Sequence, residues 1–192
     1  VKDENTRTIF AMGILAIEFL FLLPWWSKYI HQQTPAFPHY GLEFTRKNGV
    51  ELLRGIAIGL ISVLLLFFVQ GMLGWLVFEQ PSFSVMQLVL EGFITGLGVA
   101  FAEELFFRGF IYDELQRDYN SKSVVWATAI IFAVLHFIKP LPVIISTSPQ
   151  FFGLVLLGLA CVWAKRSTRG RLGLPIGLHG GLVWGNYIIE VG

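Results

Sequence analysis

Two adjacent glutamates and an arginine stand inside an apolar run, AFAEELFFRGF, at residues 100–110. A charged side chain at the centre of a lone membrane helix costs on the order of 2.5–3.5 kcal/mol on insertion scales, so such groups are usually paired or functional. On a helix, Glu104 and Arg108 are four residues apart and share a face, which predicts an ion pair. Glu103 points about 100° away from Glu104, so it is left for another task. Two histidines also lie in apolar segments, His136 in IIFAVLHF and His179 in LPIGLHGGLVWGN. A carboxylate with two imidazoles is a set for general-base chemistry. The glutamate takes a proton from water, one histidine holds that water, and the second can donate a hydrogen bond to a developing oxyanion. Ser146, Thr147 and Ser148 lie in a loop-like ISTSPQ, and Cys161, the only cysteine, has no histidine in its segment. Water is therefore the expected nucleophile. Alone, the Glu104–Arg108 pair reads equally well as structural, and a lone intramembrane histidine as one bonded to helix backbone. Finding Glu103, His136 and His179 together is what favours chemistry.

The elements that must position these groups follow from composition. Of 192 residues, 55% are hydrophobic and only 14% are charged, against roughly a quarter charged in soluble domains. Mean hydropathy is +0.66. Six apolar segments lie near 8–26, 52–78, 84–112, 123–138, 143–164 and 173–190, most of them near the roughly 20 residues a spanning helix needs. The expected fold is all-α, a polytopic integral membrane helix bundle with about six transmembrane helices. The first segment is read as a retained helix, because no small-residue cleavage site follows it. Residues 1–50 are expected to form an N-terminal transmembrane helix and interfacial loop, and 51–192 a membrane-embedded core. His31 and His39 fall in that loop and are expected to be solvated. Gly55 and Gly59 form a GxxxG spacing, read as close helix packing. A net charge of +1 gives no reason to expect nucleic acid.

Six spans would put eleven Lys and Arg residues on one side and Lys2, Arg7 and Lys139 on the other, so the richer side is expected to be cytoplasmic. Counted from that side, Glu103 lies roughly 13 Å deep, His136 roughly 20 Å and His179 roughly 9 Å. Helix tilt covers such differences, so three helices can bring the three groups into one cavity.

Three motifs in order then carry a resemblance. EELFFR resembles an EExxxR signature, FAVLH (Phe132 to His136) an FxxxH signature, and GLPIGLHGGLVWG a histidine block near the last helix. Over residues 84–190 the chain resembles the CAAX protease and bacteriocin-processing (CPBP/Abi) family, the type II CAAX prenyl endopeptidases. The resemblance implies an intramembrane glutamate-type peptidase without a required metal or other cofactor. Glu103 and His136 would activate the water, and His179 would help stabilise the oxyanion. Glu104, Arg108 and Phe132 would support the site or hold substrate. It implies a multi-pass protein of a bacterial plasma membrane or an organellar membrane. Its partners would be membrane lipid and a peptide or protein substrate, prenylated or not. The chain departs from the family where many members carry Asn or Asp four residues after the last histidine. Val183 stands there, and Asn186, seven residues on from His179, is the amide that could serve instead.

Three other readings compete. The fold could be a non-catalytic scaffold or immunity-type partner of another membrane protein, which Val183 favours. Two histidines and a glutamate are also a common zinc ligand set, although no HExxH accompanies them. Buried charges also mark ion paths, but no inverted repeat supports a transporter.

Overall fold

The computed structural model describes residues 2–76 and 84–191, which form helices joined by turns and contain no strand. In chain order these are α1 (Lys2–Tyr29), α2 (Ala36–His39), α3 (Arg46–Met72), α4 (Val85–Glu104), a π-helical segment (Leu105–Ile111), α5 (Tyr112–Asp118), α6 (Ser121–His136), α7 (Leu141–Thr147), α8 (Gln150–Ser167) and α9 (Gly173–Val191). Each of the six apolar segments holds helix, although the one near 143–164 is divided between α7 and α8 and the last two residues of the one near 52–78 lie outside the described residues. Among the described residues, α3 and the continuous run Val85–Asp118 are long and apolar enough to cross a membrane. The α7–α8 pair, bent by 74°, would make a third span if taken together, and α6 is a shorter apolar helix. The chain is thus an all-α membrane bundle.

Local chemistry sets several helix ends. The Thr45 side chain accepts a hydrogen bond from the Asn48 backbone N–H and opens α3, and Asn120 does the same for α6 through Ser123. Pro140 and Pro142 stand at the start of α7, where a missing N–H costs no helical bond. Arg169 N–H bonds to Arg166 O and Gly170 N–H to Lys165 O, which closes the end of α8.

The helix that brings His179 to the site, α9, is held between α3 and α4. A Cβ on Gly55 would run into Leu174 O, with the Leu178 nitrogen at 2.6 Å. A Cβ on Gly59 would meet Leu178 O and, at 2.7 Å, the Leu182 nitrogen. From the other side, Gly177 and Gly181 present the same bare surface to Leu52 and Ile56. The α3 and α9 backbones therefore approach more closely than side chains would permit, the contact that small residues provide in membrane bundles.

The loop after α1 is not simply solvated. It folds under α5, where His31 Nε2 lies 2.7 Å from Glu114 Oε2 and the fully buried Tyr40 donates its hydroxyl to Glu114 Oε1 at 2.8 Å. Arg117 Nη2 lies 3.3 Å from His39 Nε2. Glu114 supplies both acceptor oxygens on which a histidine and a phenol from the loop settle. His39 itself is exposed, as expected, while His31 is half-buried.

Candidate active site

The chain turns from α4 into α5 through seven π-helical residues directly after the two glutamates. Arg108 and Glu104, which the segment brings to one face, are both fully buried, with Arg108 Nη1 donating to Glu104 Oε1 at 3.0 Å. Arg108 Nη2 donates to Gly158 O on α8 at 3.2 Å, and its guanidinium carbon sits 4.4 Å from the Phe132 ring centre. An ion pair, a carbonyl and an aromatic face thus surround a charge that would be costly alone. From the other side, Lys165 Nζ donates to the Arg108 carbonyl at 2.6 Å and pairs with Asp113.

Glu103 faces elsewhere. Its Oε2 lies 3.4 Å from His136 Nε2 and 3.9 Å from His179 Nε2. Helices α4, α6 and α9 therefore bring all three groups together. Phe132 packs at their centre, with its ring 4.3 Å from that of His136 and 6.0 Å from that of His179.

The hydrogen-bond partners assign the ring nitrogens. His136 Nδ1 lies 2.8 Å from Phe132 O, one turn back on α6, and a carbonyl can only accept, so Nδ1 carries the proton. His179 Nδ1 lies 2.9 Å from Glu104 Oε1, the oxygen that already accepts from Arg108, so it too is a donor. In the neutral rings both Nε2 atoms are then acceptors, and both face the Glu103 carboxylate. Three acceptors surround one small space. Glu103 Oε2 is buried and makes no hydrogen bond among the described residues. Separations of 3.4 and 3.9 Å are ones that a water about 2.8 Å from Glu103 and from one imidazole would bridge from off the line between them. The Glu103 and His136 side chains keep 15% and 30% of their surface exposed, so this space is reachable.

Asn186 lies apart from this group. Its neighbours Trp184 and Tyr187 pack against Gly92 on α4, eleven residues and so roughly 16 Å along the helix from Glu103. It makes no side-chain hydrogen bond to the site. Val183, one turn after His179, is half-buried. Among the described residues no group of three or more His, Cys, Asp and Glu side chains is arranged to hold a metal ion.

Sequence reasoning did not find the role of Glu104 as the anchor of His179, because those residues are 75 apart in sequence. Lys165 was also missed, although a lysine closing the apolar LGLACVWAK could have drawn attention.

A family model described as type II CAAX prenyl endopeptidase Rce1-like matches residues 85–185, more than half of the chain. The chain belongs to this family. No curated protein and no solved structure matches it. At family level it is therefore a CAAX-type peptidase of the membrane. The Rce1-like region begins with α4 and ends within α9. It contains Glu103, Glu104, Arg108, Phe132, His136 and His179, while Asn186 falls one residue beyond it.

Proposed function

We propose that this chain is a multi-pass intramembrane endopeptidase in which Glu103 and His136 activate a water to hydrolyse a peptide bond near the membrane. The observation that carries the reading is the convergence of the His136 and His179 Nε2 atoms on the Glu103 carboxylate, with each Nδ1 committed to a different acceptor. The water donates to Glu103 and is held by His136. As it attacks the carbonyl, Glu103 takes its proton and later passes one to the leaving amine. With a proton taken from solvent onto Nε2 before the attack, His179 donates to the oxyanion, and Glu104 at Nδ1 supplies the counter-charge. Arg108 and Phe132 act through Glu104 and the rings, so they are positioning residues. The core 51–192 carries this machinery, with 1–50 as an N-terminal helix and interfacial loop. The reaction proposed needs no metal. The substrate is a peptide or protein segment at the membrane surface, prenylated or not, and the membrane is a bacterial plasma membrane or an organellar one.

The test is cleavage of a membrane-anchored reporter peptide by the parent and by Glu103→Gln. General-base catalysis is worth about 10²–10⁴ in rate, and a loss of that size with unchanged folding is expected. Full activity of Glu103→Gln would refute the assignment.

A second reading has one specific observation behind it. Val183 offers no hydrogen-bond donor where many relatives place an amide or acid, so the same bundle could serve as a non-catalytic scaffold or immunity-type partner in the membrane. In that case Glu103→Gln and His136→Ala would keep the biological phenotype, and substitutions on the lipid-facing surface would abolish it.

A further inference from the structure

Away from Glu103 and the histidines, the surface carries an open polar cavity of about 430 Å³ where the end of α8 meets α5 and the loop after α2. Its wall includes Lys165, Arg166 and Arg169 from α8 and the turn after it, with Asp113 and Glu43 opposite. Lys165 and Asp113 neutralise each other. Arg166 and Arg169 are exposed and pair with no carboxylate among the described residues. Glu43 makes no ion pair within that set either, and Arg171, which feels its charge, is already paired with Glu51. With three cations against two carboxylates in its wall, the cavity keeps an excess of one positive charge.

Cations at the end of a helix can simply complement its dipole. Here that explanation is incomplete. The closing carbonyls of Lys165 and Arg166 are already bonded by Gly170 N–H and Arg169 N–H. Arg169 also sits at φ 59°, the left-handed position after a helix where glycine is the usual residue. Gly170 follows at φ 93°. A long cation thus occupies a backbone position that disfavours it, on the rim of a cavity. Strain of this kind persists where the surroundings or a function hold it in place.

We propose that this cavity binds a phosphate-bearing anion, with Arg166 and Arg169 as its clamp. Arginine presents paired donors in the planar geometry that phosphate oxygens accept. Basic pockets at the ends of membrane helices suit anionic lipid headgroups, and about 430 Å³ exceeds the needs of a bare phosphate. The Lys165 ammonium connects the cavity floor to the Arg108 carbonyl, so an occupant would sit two contacts away from the Glu104–Arg108 pair. The proposal does not depend on peptidase activity.

The test measures binding of short-chain phosphatidylglycerol, short-chain phosphatidylcholine and inorganic phosphate to the purified full chain in neutral detergent, by titration calorimetry. Saturable binding of phosphatidylglycerol in preference to phosphatidylcholine is expected. Each arginine should contribute about fivefold, so Arg166→Gln with Arg169→Gln should weaken binding about 25-fold. Lys122→Gln, exposed at the start of α6, should leave it unchanged. Competition by inorganic phosphate would show that the phosphate group alone is recognised, and saturable lipid binding without competition would show that the headgroup is. Both outcomes support the site. Non-saturable binding, or a double variant that binds like the parent while melting at the same temperature, would overturn it.

Discussion

Replacing Glu103 and Glu104 by glutamine, one at a time, should damage the protein in opposite ways. Glu104 and Arg108 are both fully buried and 3.0 Å apart. At an effective dielectric of 20, two unit charges at that distance attract by about 5–6 kcal/mol. Removing one partner of a buried pair leaves the other charge uncompensated, at a cost of about 3–5 kcal/mol. In a chain of this size each kcal/mol shifts Tm by about 2–4 °C, so Glu104→Gln should melt roughly 10 °C below the parent. Glu103 keeps 15% of its side-chain surface exposed and meets His136 at 3.4 Å, beyond a good hydrogen bond. Its replacement should shift Tm by less than about 2 °C while removing about 10²–10⁴ of the rate. The assays are a thermal melt in detergent and cleavage of the reporter peptide, run on the same preparations. A control is Glu104→Leu with Arg108→Met, which should recover much of the stability of the single variant, because an apolar pair often replaces a buried ion pair at little cost. It should not recover activity, since His179 has lost its anchor. Equal melting losses for Glu103→Gln and Glu104→Gln would refute the division of roles, and so would a Glu103→Gln enzyme that cleaves at the parental rate.

Other expectations are simpler to state. Val183→Asn should raise the cleavage rate, by up to the roughly 10² that one oxyanion donor contributes; no gain in turnover would mean that the missing donor is supplied elsewhere. Gly55→Val drives a side chain into the α9 backbone at Leu174 and Gly177 and should cost at least the 1–3 kcal/mol of an overpacked core, lowering both Tm and activity because α9 carries His179. His39 lies outside the spanning helices, and burial, then the Arg117 guanidinium, holds its pKa below the ordinary imidazole value. The unfolded chain therefore binds that proton more readily, so the contribution to stability is full above about pH 6.5 and declines below it. His39→Gln should lose less Tm than the parent between pH 7 and pH 5, and identical slopes would contradict this.

The site was legible in the sequence where its geometry is local. Glu104 and Arg108 are one helical turn apart, so their pairing follows from spacing, and the rotation of Glu103 away from them follows from the same arithmetic. The convergence of Glu103, His136 and His179 could be anticipated only as a coincidence of depth. The structure supplies the missing link, the bare α3–α9 contact that brings α9 against the bundle. Spacing could not reveal that Glu104 serves two partners, because His179 reaches it across 75 residues. Nor did it reveal how far Asn186 lies from the site. Seven residues return to the same face of a helix, but they also travel about 10 Å along it. The loop histidine His31 was misjudged for a similar reason, since its partner Glu114 is 83 residues away.

The division between the two glutamates also bears on how such a chain is assembled. Glu104 and Arg108 belong to one continuous helical run, so their charges can offset each other as that run enters the bilayer, before any other helix arrives. Glu103 has no such companion until α6 brings His136 and α9 brings His179. During synthesis the chain must therefore carry one unmatched carboxylate until α6 follows it, and one incompletely matched until α9 is made. If Glu103 is the general base proposed above, a partly built chain would be inert, since that carboxylate acquires both imidazoles only when α9 docks against α3 and α4. Completion of the fold and onset of the proposed hydrolysis would then be a single event, and a half-made chain would leave the membrane's own proteins uncut.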